Sequence, residues 1–139
     1  MESGEICGKI CLMEIRRTLD LEERLISFAV ICIQTAEQLP RTFAGNHLGG
    51  QLTRSGSAPA LQYGEACSAE SRSDFIHKMK IALKELRETN NCLAIIEKLN
   101  WSLAANLPAA RKECKELVYI FLKSIDTARK NASKKVLNP

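Results

Sequence analysis

The chain has 139 residues, a hydrophobic fraction of 45% and a formal net charge of +4. This composition excludes an intrinsically disordered chain, and the length favours one folded domain. The longest nearly apolar run, residues 25–33, is too short for a membrane span, which needs roughly 20 residues. With 7 Gly and 4 Pro, the chain has too few turn residues for a strand-and-turn fold of this size.

Residues 1–19 have no clear hydrophobic periodicity and are expected to form a tail or a short extra helix. The first clear helix is predicted to begin at Asp20, a favourable N-cap residue, and to end before Pro40. Within it, residues 25–33 are apolar on almost every side, which in a small domain indicates cover by another subunit as well as by the core. Phe28 and Ile31 are therefore candidate interface residues.

Residues 43–69 contain several Gly residues and Pro59, which disfavour an isolated helix. Leucines at helical spacing nevertheless predict a tightly packed helix here, with Pro59 as the point at which it could break. The small residues in this segment would allow a neighbouring helix to approach closely. The candidate helix or subunit contacts in this segment are Ser55, Gly56, Ser57 and Gly64.

The third helix has the clearest pattern and is predicted to begin after a Ser73 cap and to end near Leu99. Its apolar residues alternate in steps of four and three, which is typical of a bundle seam. The seam residues are Phe75, Met79, Ala82, Leu86, Thr89, Leu93 and Ile96.

The fourth helix is predicted to begin at Pro108, a preferred first-turn residue. Its seam is Cys114, Leu117, Phe121, Ser124 and Ala128. The apolar run 117–122 adds Tyr119 and Leu122 as interface candidates.

Four helices with short connections predict an all-α, up-down-up-down antiparallel bundle. The predicted domain limits are a tail or short helix over 1–19, the bundle over 20–131 and a basic tail over 132–139.

Charge is distributed unevenly along the chain. Residues 1–40 carry 4 basic and 7 acidic side chains, whereas residues 111–139 carry 8 basic and 3 acidic ones. A basic end can bind phosphate, although a solvated helix face has the same composition more often. The candidate nucleic-acid-binding residues are Arg111, Lys112, Lys115, Lys123, Arg129, Lys130, Lys134 and Lys135.

Arg54 is the one charge in an otherwise neutral stretch of the second helix. Antiparallel pairing across a turn near residues 69–72 places it opposite residues near 86, so its expected partner is Glu85 or Glu88. A structural ion pair between helices is favoured here over a catalytic carboxylate–arginine cluster, because such pairs commonly fix helix register.

No complete catalytic or metal-binding pattern is present in the sequence. Tyr63, Glu65 and His77 are acid–base residue types that could meet at one turn, but no nucleophile accompanies them. Cys7 and Cys11 have helical metal-clamp spacing, but no second Cys/His pair follows at zinc-site spacing. We therefore predict no catalytic residue, no metal site and no cofactor, and we expect that the protein is not an enzyme. The N-terminus does not resemble a secretory signal, which favours a cytoplasmic protein with reduced thiols.

Four short motifs give the chain a resemblance to a known family over about residues 20–130. The chain is similar to the four-helix-bundle family of proteins encoded in intervening sequences of bacterial 23S ribosomal RNA genes. In place of Gln62-Tyr63, many members have Asn and Ile, and the segment before Asp20 has no counterpart in the family. The motifs are Gln51-Leu52-x-Arg54-Ser55, Gly64-Glu65-Ala66, Ser71-x-x-Asp74-Phe75 and Lys84-Glu85-Leu86-x-Glu88-Thr89.

The resemblance implies a left-handed up-down-up-down bundle and a homopentamer. The family is similar in fold to the accessory variability protein of diversity-generating retroelements, which binds nucleic acid and a reverse transcriptase through basic surface. Two hypotheses follow. The first is a non-enzymatic oligomer that binds structured RNA or a ribonucleoprotein through basic surface. The alternative is a protein-interaction scaffold without nucleic-acid binding. Neither hypothesis includes a membrane or a small-molecule substrate.

Overall fold

The fold is known from a computed structural model that describes the backbone of residues 2–101 and 106–137 and the side chains of residues 12–101 and 106–133. Over these residues the chain forms helices and no strands. The helices are α1 (Glu2–Glu37), α2 (Phe43–Cys67), α3 (Arg72–Leu99) and α4 (Leu107–Leu137). The all-helical, four-helix fold expected from the sequence is confirmed.

Residue pairs show that consecutive helices run antiparallel. On α1 and α2, Gly49 lies against Ala36, and Gly56 against Cys32. Between α2 and α3, Glu65 near the end of one helix bonds Lys78 near the start of the other. Short connections allow this up-down arrangement, which surrounds the core with α1–α2, α2–α3, α3–α4 and α4–α1 contacts.

The core follows the predicted seams. Phe28 of α1 and Phe121 of α4 are fully buried, and Phe121 makes an edge-to-face contact with Tyr63 of α2 at a centroid distance of 6.1 Å. On α3, every predicted seam residue except the half-buried Phe75 is buried. Burial of one apolar stripe from each helix is what stabilises a bundle of this size.

The first helix begins earlier than the sequence predicts. It starts at Glu2 rather than at Asp20, and the residues before Asp20 continue the same helix. The reason is that no Gly or Pro interrupts the chain between Lys9 and Leu39, so Asp20 lies inside a stretch of good helix formers. The predicted domain limit at residue 19 remains a prediction.

Helix α2 passes through Pro59 without a break. Its N-cap is Thr42, whose hydroxyl accepts a hydrogen bond from the Gly45 N–H at 3.1 Å. Pro59 cannot donate the usual backbone hydrogen bond to the Ser55 carbonyl. Because the proline ring is fully buried, apolar packing offsets that loss.

The cap of α3 is Ser71 rather than the predicted Ser73. The Ser71 hydroxyl accepts a hydrogen bond from the Asp74 N–H at 3.0 Å, while Ser73 is exposed within the first turn. At the other end, Asn100 adopts the left-handed conformation that commonly terminates helices. Helix α4 begins at Leu107, which leaves Pro108 in its first turn. None of the described helices is long and apolar enough to cross a membrane.

Candidate nucleic-acid interface and assembly surfaces

The outer face of α4 presents a row of lysines. Lys112, Lys115 and Lys123 are all exposed, and none of them has a carboxylate within 4.0 Å among the described side chains. The Lys123 ammonium lies 5.7 Å from the centre of the Tyr119 ring. Because the spacings of three and eight residues keep these side chains on one side of the helix, their charges add along a single surface. We call Lys112, Lys115 and Lys123 the α4 stripe.

The other basic candidates of α4 are not equivalent to this stripe. Arg111 is turned towards α3 and bonds Glu97, and Lys130 bonds Asp126 at 2.9 Å within its own helix. Arg129 is exposed beside α3. The side chains of Lys134 and Lys135 lie outside the described residues, so these two candidates stay predictions.

The acidic residues of α4 are engaged by other partners. The Arg24 guanidinium of α1 donates to Glu113 at 2.6 Å and also bonds Glu116. Asp126 is paired with Lys130. None of these three carboxylates bonds a lysine of the α4 stripe, and Glu113 and Glu116 share the single cation Arg24.

A second basic surface lies in the groove between α3 and α4. Its floor is apolar and its rim is formed by four exposed cations that have no carboxylate within 4.0 Å among the described side chains. Reasoning from the sequence missed this surface, although Lys80, Lys84 and Arg87 have the spacing of one helix face. We call it the α3–α4 groove. Its residues are Lys80, Lys84, Arg87 and Arg129 on the rim and Leu83, Leu122 and Ile125 on the floor.

The other side of α3 is acidic and is neutralised by α2. Arg54 donates to Glu85 at 3.0 Å and also bonds Glu88 and Gln51. The hydrogen bond to Glu88 and the charge of Glu85 raise the pKa of the Arg54 guanidinium. The structure thus brings together the three residues for which the sequence predicts an ion pair. The bonds join the neighbouring helices α2 and α3, where they favour one register.

The acid–base types near the α2–α3 turn do not form a site. Tyr63 is buried, and burial raises its pKa to about 12. Glu65 is paired with Lys78 at 2.9 Å, and His77 is exposed. No hydrogen bond joins any two of Tyr63, Glu65 and His77, all of which the structure describes.

The described cysteines are free, and their environments differ. Cys32, Cys92 and Cys114 are buried, whereas Cys67 is exposed. Burial raises the pKa of Cys32 and Cys114 to about 12 and that of Cys92 to about 11. Among the side chains that the structure describes, no group of three or more His, Cys, Asp or Glu residues could hold a metal ion. Cys7 and Cys11 lie outside those side chains.

The candidate interface residues divide into two groups. Phe28, Ser55 and Gly56 are buried within the chain, so they make contacts between its own helices. Ile31, Ser57 and Gly64 are half-buried. Tyr119 is 60% exposed and Leu122 is 42% exposed, which leaves both available to another molecule.

Within the apolar run 25–33, the outward residues are also uncovered. Ile26 is 47% exposed and Val30 is 46% exposed. One chain therefore covers only part of this run.

Comparison with known proteins identifies the family. The model of the 23S rRNA-intervening sequence protein family matches residues 17–123. A crystal structure of a protein of unknown function from the S23 ribosomal protein family of Bacteroides thetaiotaomicron is similar, with a TM-score of 0.71 and 25% identity. The similarity covers 78% of this chain and 97% of that one. Among curated proteins, none matches the chain. The family match spans most of the bundle, and the chain therefore belongs to the 23S rRNA-intervening sequence protein family.

Proposed function

We propose that the protein is a non-enzymatic homo-oligomer that binds structured RNA through the α4 stripe. The observation that carries this proposal is the exposure of Lys112, Lys115 and Lys123 on one side of α4 without a described carboxylate partner. Unpaired cations that share one surface attract phosphate.

The scarcity of aromatic side chains defines the mode of binding. Aromatic residues make up 5% of the chain, and Trp101 is its only Trp. Recognition of unpaired bases usually depends on stacking against several aromatic side chains. Binding through this surface would therefore depend on phosphate charge and on the shape of a folded RNA, with little sequence preference.

Assembly would strengthen such contacts. The exposed residues Ile26 and Val30 lie in an apolar run that one chain leaves partly uncovered, which supports association with further copies. The homopentamer implied by the family resemblance would present five copies of the α4 stripe. Several weak phosphate contacts on one particle then combine into a higher effective affinity.

The charge pattern of α4 favours RNA binding over the alternative of a scaffold without nucleic-acid binding. In a scaffold, charge serves only solubility, and lysines would alternate with carboxylates as neutral pairs. Here Glu113 and Glu116 bond Arg24, and Asp126 bonds Lys130, so none of these carboxylates forms an ion pair with a lysine of the α4 stripe.

The proposal is tested by reversing two charges of the stripe. We expect the double substitution Lys112→Glu and Lys115→Glu to weaken binding of a structured RNA by about tenfold or more, because each lost phosphate contact also loses counterion release. The loss should be similar for RNAs of different sequence. Fluorescence anisotropy with labelled RNA hairpins at a fixed salt concentration measures the affinity of each protein variant.

A matched control is the double substitution Arg41→Glu and Lys98→Glu. It changes the net charge equally, and both residues are exposed near helix ends and are not part of the α4 stripe. The proposal predicts that the control binds RNA much more tightly than the stripe variant. Equal weakening by both variants, or a loss confined to one RNA sequence, would contradict it.

A further inference from the structure

The outer face of α1 is both apolar and acidic. Leu19, Ile26 and Val30 are exposed and lie seven and four residues apart, so they share one face of the helix. Glu23 and Glu37 are exposed beside them. We call these five residues the α1 face.

The α1 face has no cation of its own. The only basic residue between Leu19 and Glu37 is Arg24. Its guanidinium is directed to α4, where it bonds Glu113 and Glu116. The carboxylates of Glu23 and Glu37 have no cation within 4.0 Å among the described side chains.

The α3–α4 groove has the opposite character. Leu122 is 42% exposed on its floor, and Lys80, Lys84 and Arg87 form an exposed row on its rim. An apolar strip bordered by cations fits an apolar strip bordered by carboxylates, because both surfaces lose water and gain opposite charges.

The two surfaces cannot meet within one chain. Helix α1 packs against α2 through Cys32 and Gly56 and against α4 through Arg24, and its outer face points away from both contacts. The α3–α4 groove opens between the other two neighbouring helices of the bundle. Complementary surfaces on different sides of one molecule suit a contact between two copies.

We infer that the α1 face of one copy docks into the α3–α4 groove of a second copy, in a head-to-tail arrangement. This inference rests on the assembly in the proposed function and specifies its contact. A ring with five copies requires such a contact, because only a two-fold axis can bring identical patches together. The arrangement also accounts for the acidic first helix and the basic second half of the chain.

Carbodiimide cross-linking tests the contact directly, because it joins carboxylates to amines that are in contact. A mixture of isotope-labelled and unlabelled full-length protein distinguishes links between copies from links within one chain. We expect peptides that join Glu23 or Glu37 of one copy to Lys80 or Lys84 of another. The Glu65–Lys78 pair, at 2.9 Å, is the internal control and should link within single chains.

Variants give a second readout by light scattering. We expect Lys84→Glu with Arg87→Glu, and separately Glu23→Lys with Glu37→Lys, to shift the particle towards the 15.5 kDa mass of one chain. The control Arg41→Glu with Lys98→Glu should keep the mass of the unmodified protein. All six residues that these variants replace are exposed, so the fold should persist, and circular dichroism checks this.

Three results would overturn the inference, and they differ in meaning. If both variants keep the mass of the unmodified oligomer and the cross-links between copies join other residues, this contact is contradicted, but the proposed assembly is not. An unmodified protein that is monomeric at all concentrations contradicts the assembly as well. Loss of RNA binding without loss of mass in the Lys84→Glu, Arg87→Glu variant would assign the groove to RNA and also overturn the inference.

Discussion

At the scale of single residues, the contact between α1 and α2 depends on the absence of a side chain at Gly56. A Cβ atom at this position would lie 2.5 Å from the Cys32 Cβ and 2.8 Å from its Sγ. Neither helix can accommodate that overlap without a shift of its backbone. We therefore expect Gly56→Ala to lower the free energy of unfolding by about 1–3 kcal/mol, measured by urea denaturation.

The matched control lies in the same helix. A Cβ atom at Gly64 would meet nothing within 4 Å, so Gly64→Ala gains helix propensity at no steric cost. It should raise the free energy of unfolding by about 0.5–1 kcal/mol. A Gly56→Ala protein as stable as the Gly64→Ala protein would show that the two helices are not in close contact.

The buried thiols make stability sensitive to alkaline pH. Burial raises the pKa of Cys32 from 9.0 to about 12, so the folded state keeps the thiol protonated where the unfolded chain would ionise it. This difference in pKa contributes to the free energy of unfolding. The contribution is complete below pH 9 and is lost as the pH rises from 9 towards 12. We expect Cys32→Ala to be destabilising at pH 7 and progressively less so above pH 9. Urea denaturation of both proteins over a pH series measures this difference, and a constant difference would contradict the assignment.

At the scale of helices, the first turn of α3 offers a test of capping. The Ser71 hydroxyl accepts a hydrogen bond from the Asp74 N–H at 3.0 Å. Ser73 lies in the first turn of the helix and is not its N-cap. We expect Ser71→Ala to lower the free energy of unfolding by about 1 kcal/mol and Ser73→Ala to change it by less than about 0.5 kcal/mol. Thermal or urea denaturation compares the two variants. The reverse order would restore Ser73 as the cap.

The periodic spacing of apolar residues is the reason why the sequence predicts the buried faces of the helices correctly. On α3, the alternation of steps of four and three identifies the buried seam from Met79 to Ile96, because burial and helical geometry impose the same period. The predicted start of α1 at Asp20 is wrong. Aspartate is a good N-cap residue, but it can also lie inside a helix, as Asp20 does here. Continuity through Pro59 could not be read from the sequence, since it depends on tertiary burial of the ring.

The sequence predicts a contact between two helices only where a short connection fixes their register. The Arg54–Glu85–Glu88 group follows from antiparallel pairing across one short turn, so its register can be counted. The α3–α4 groove depends on the register of α3 against α4. Because the connection between these two helices is longer, that register cannot be counted from the sequence. Its signal was the row formed by Lys80, Lys84 and Arg87 on one helix face.

At the scale of the whole molecule, charge is divided between surfaces with different proposed roles. The acidic α1 face and the basic α3–α4 groove are complementary to each other, whereas the lysines of the α4 stripe have no carboxylate within 4.0 Å among the described side chains. In the proposed assembly, the first two surfaces are covered between copies. The lysines of the α4 stripe belong to neither of these surfaces, so each copy adds their charge to that of the others.

The most direct test of RNA binding by this assembly is a salt titration of the unmodified protein with a structured RNA. We predict binding that persists at physiological salt and weakens steeply as salt rises, with log Kd linear in log salt concentration, because several phosphate contacts release counterions together. Absence of binding even at low salt, or an affinity independent of salt, would contradict it.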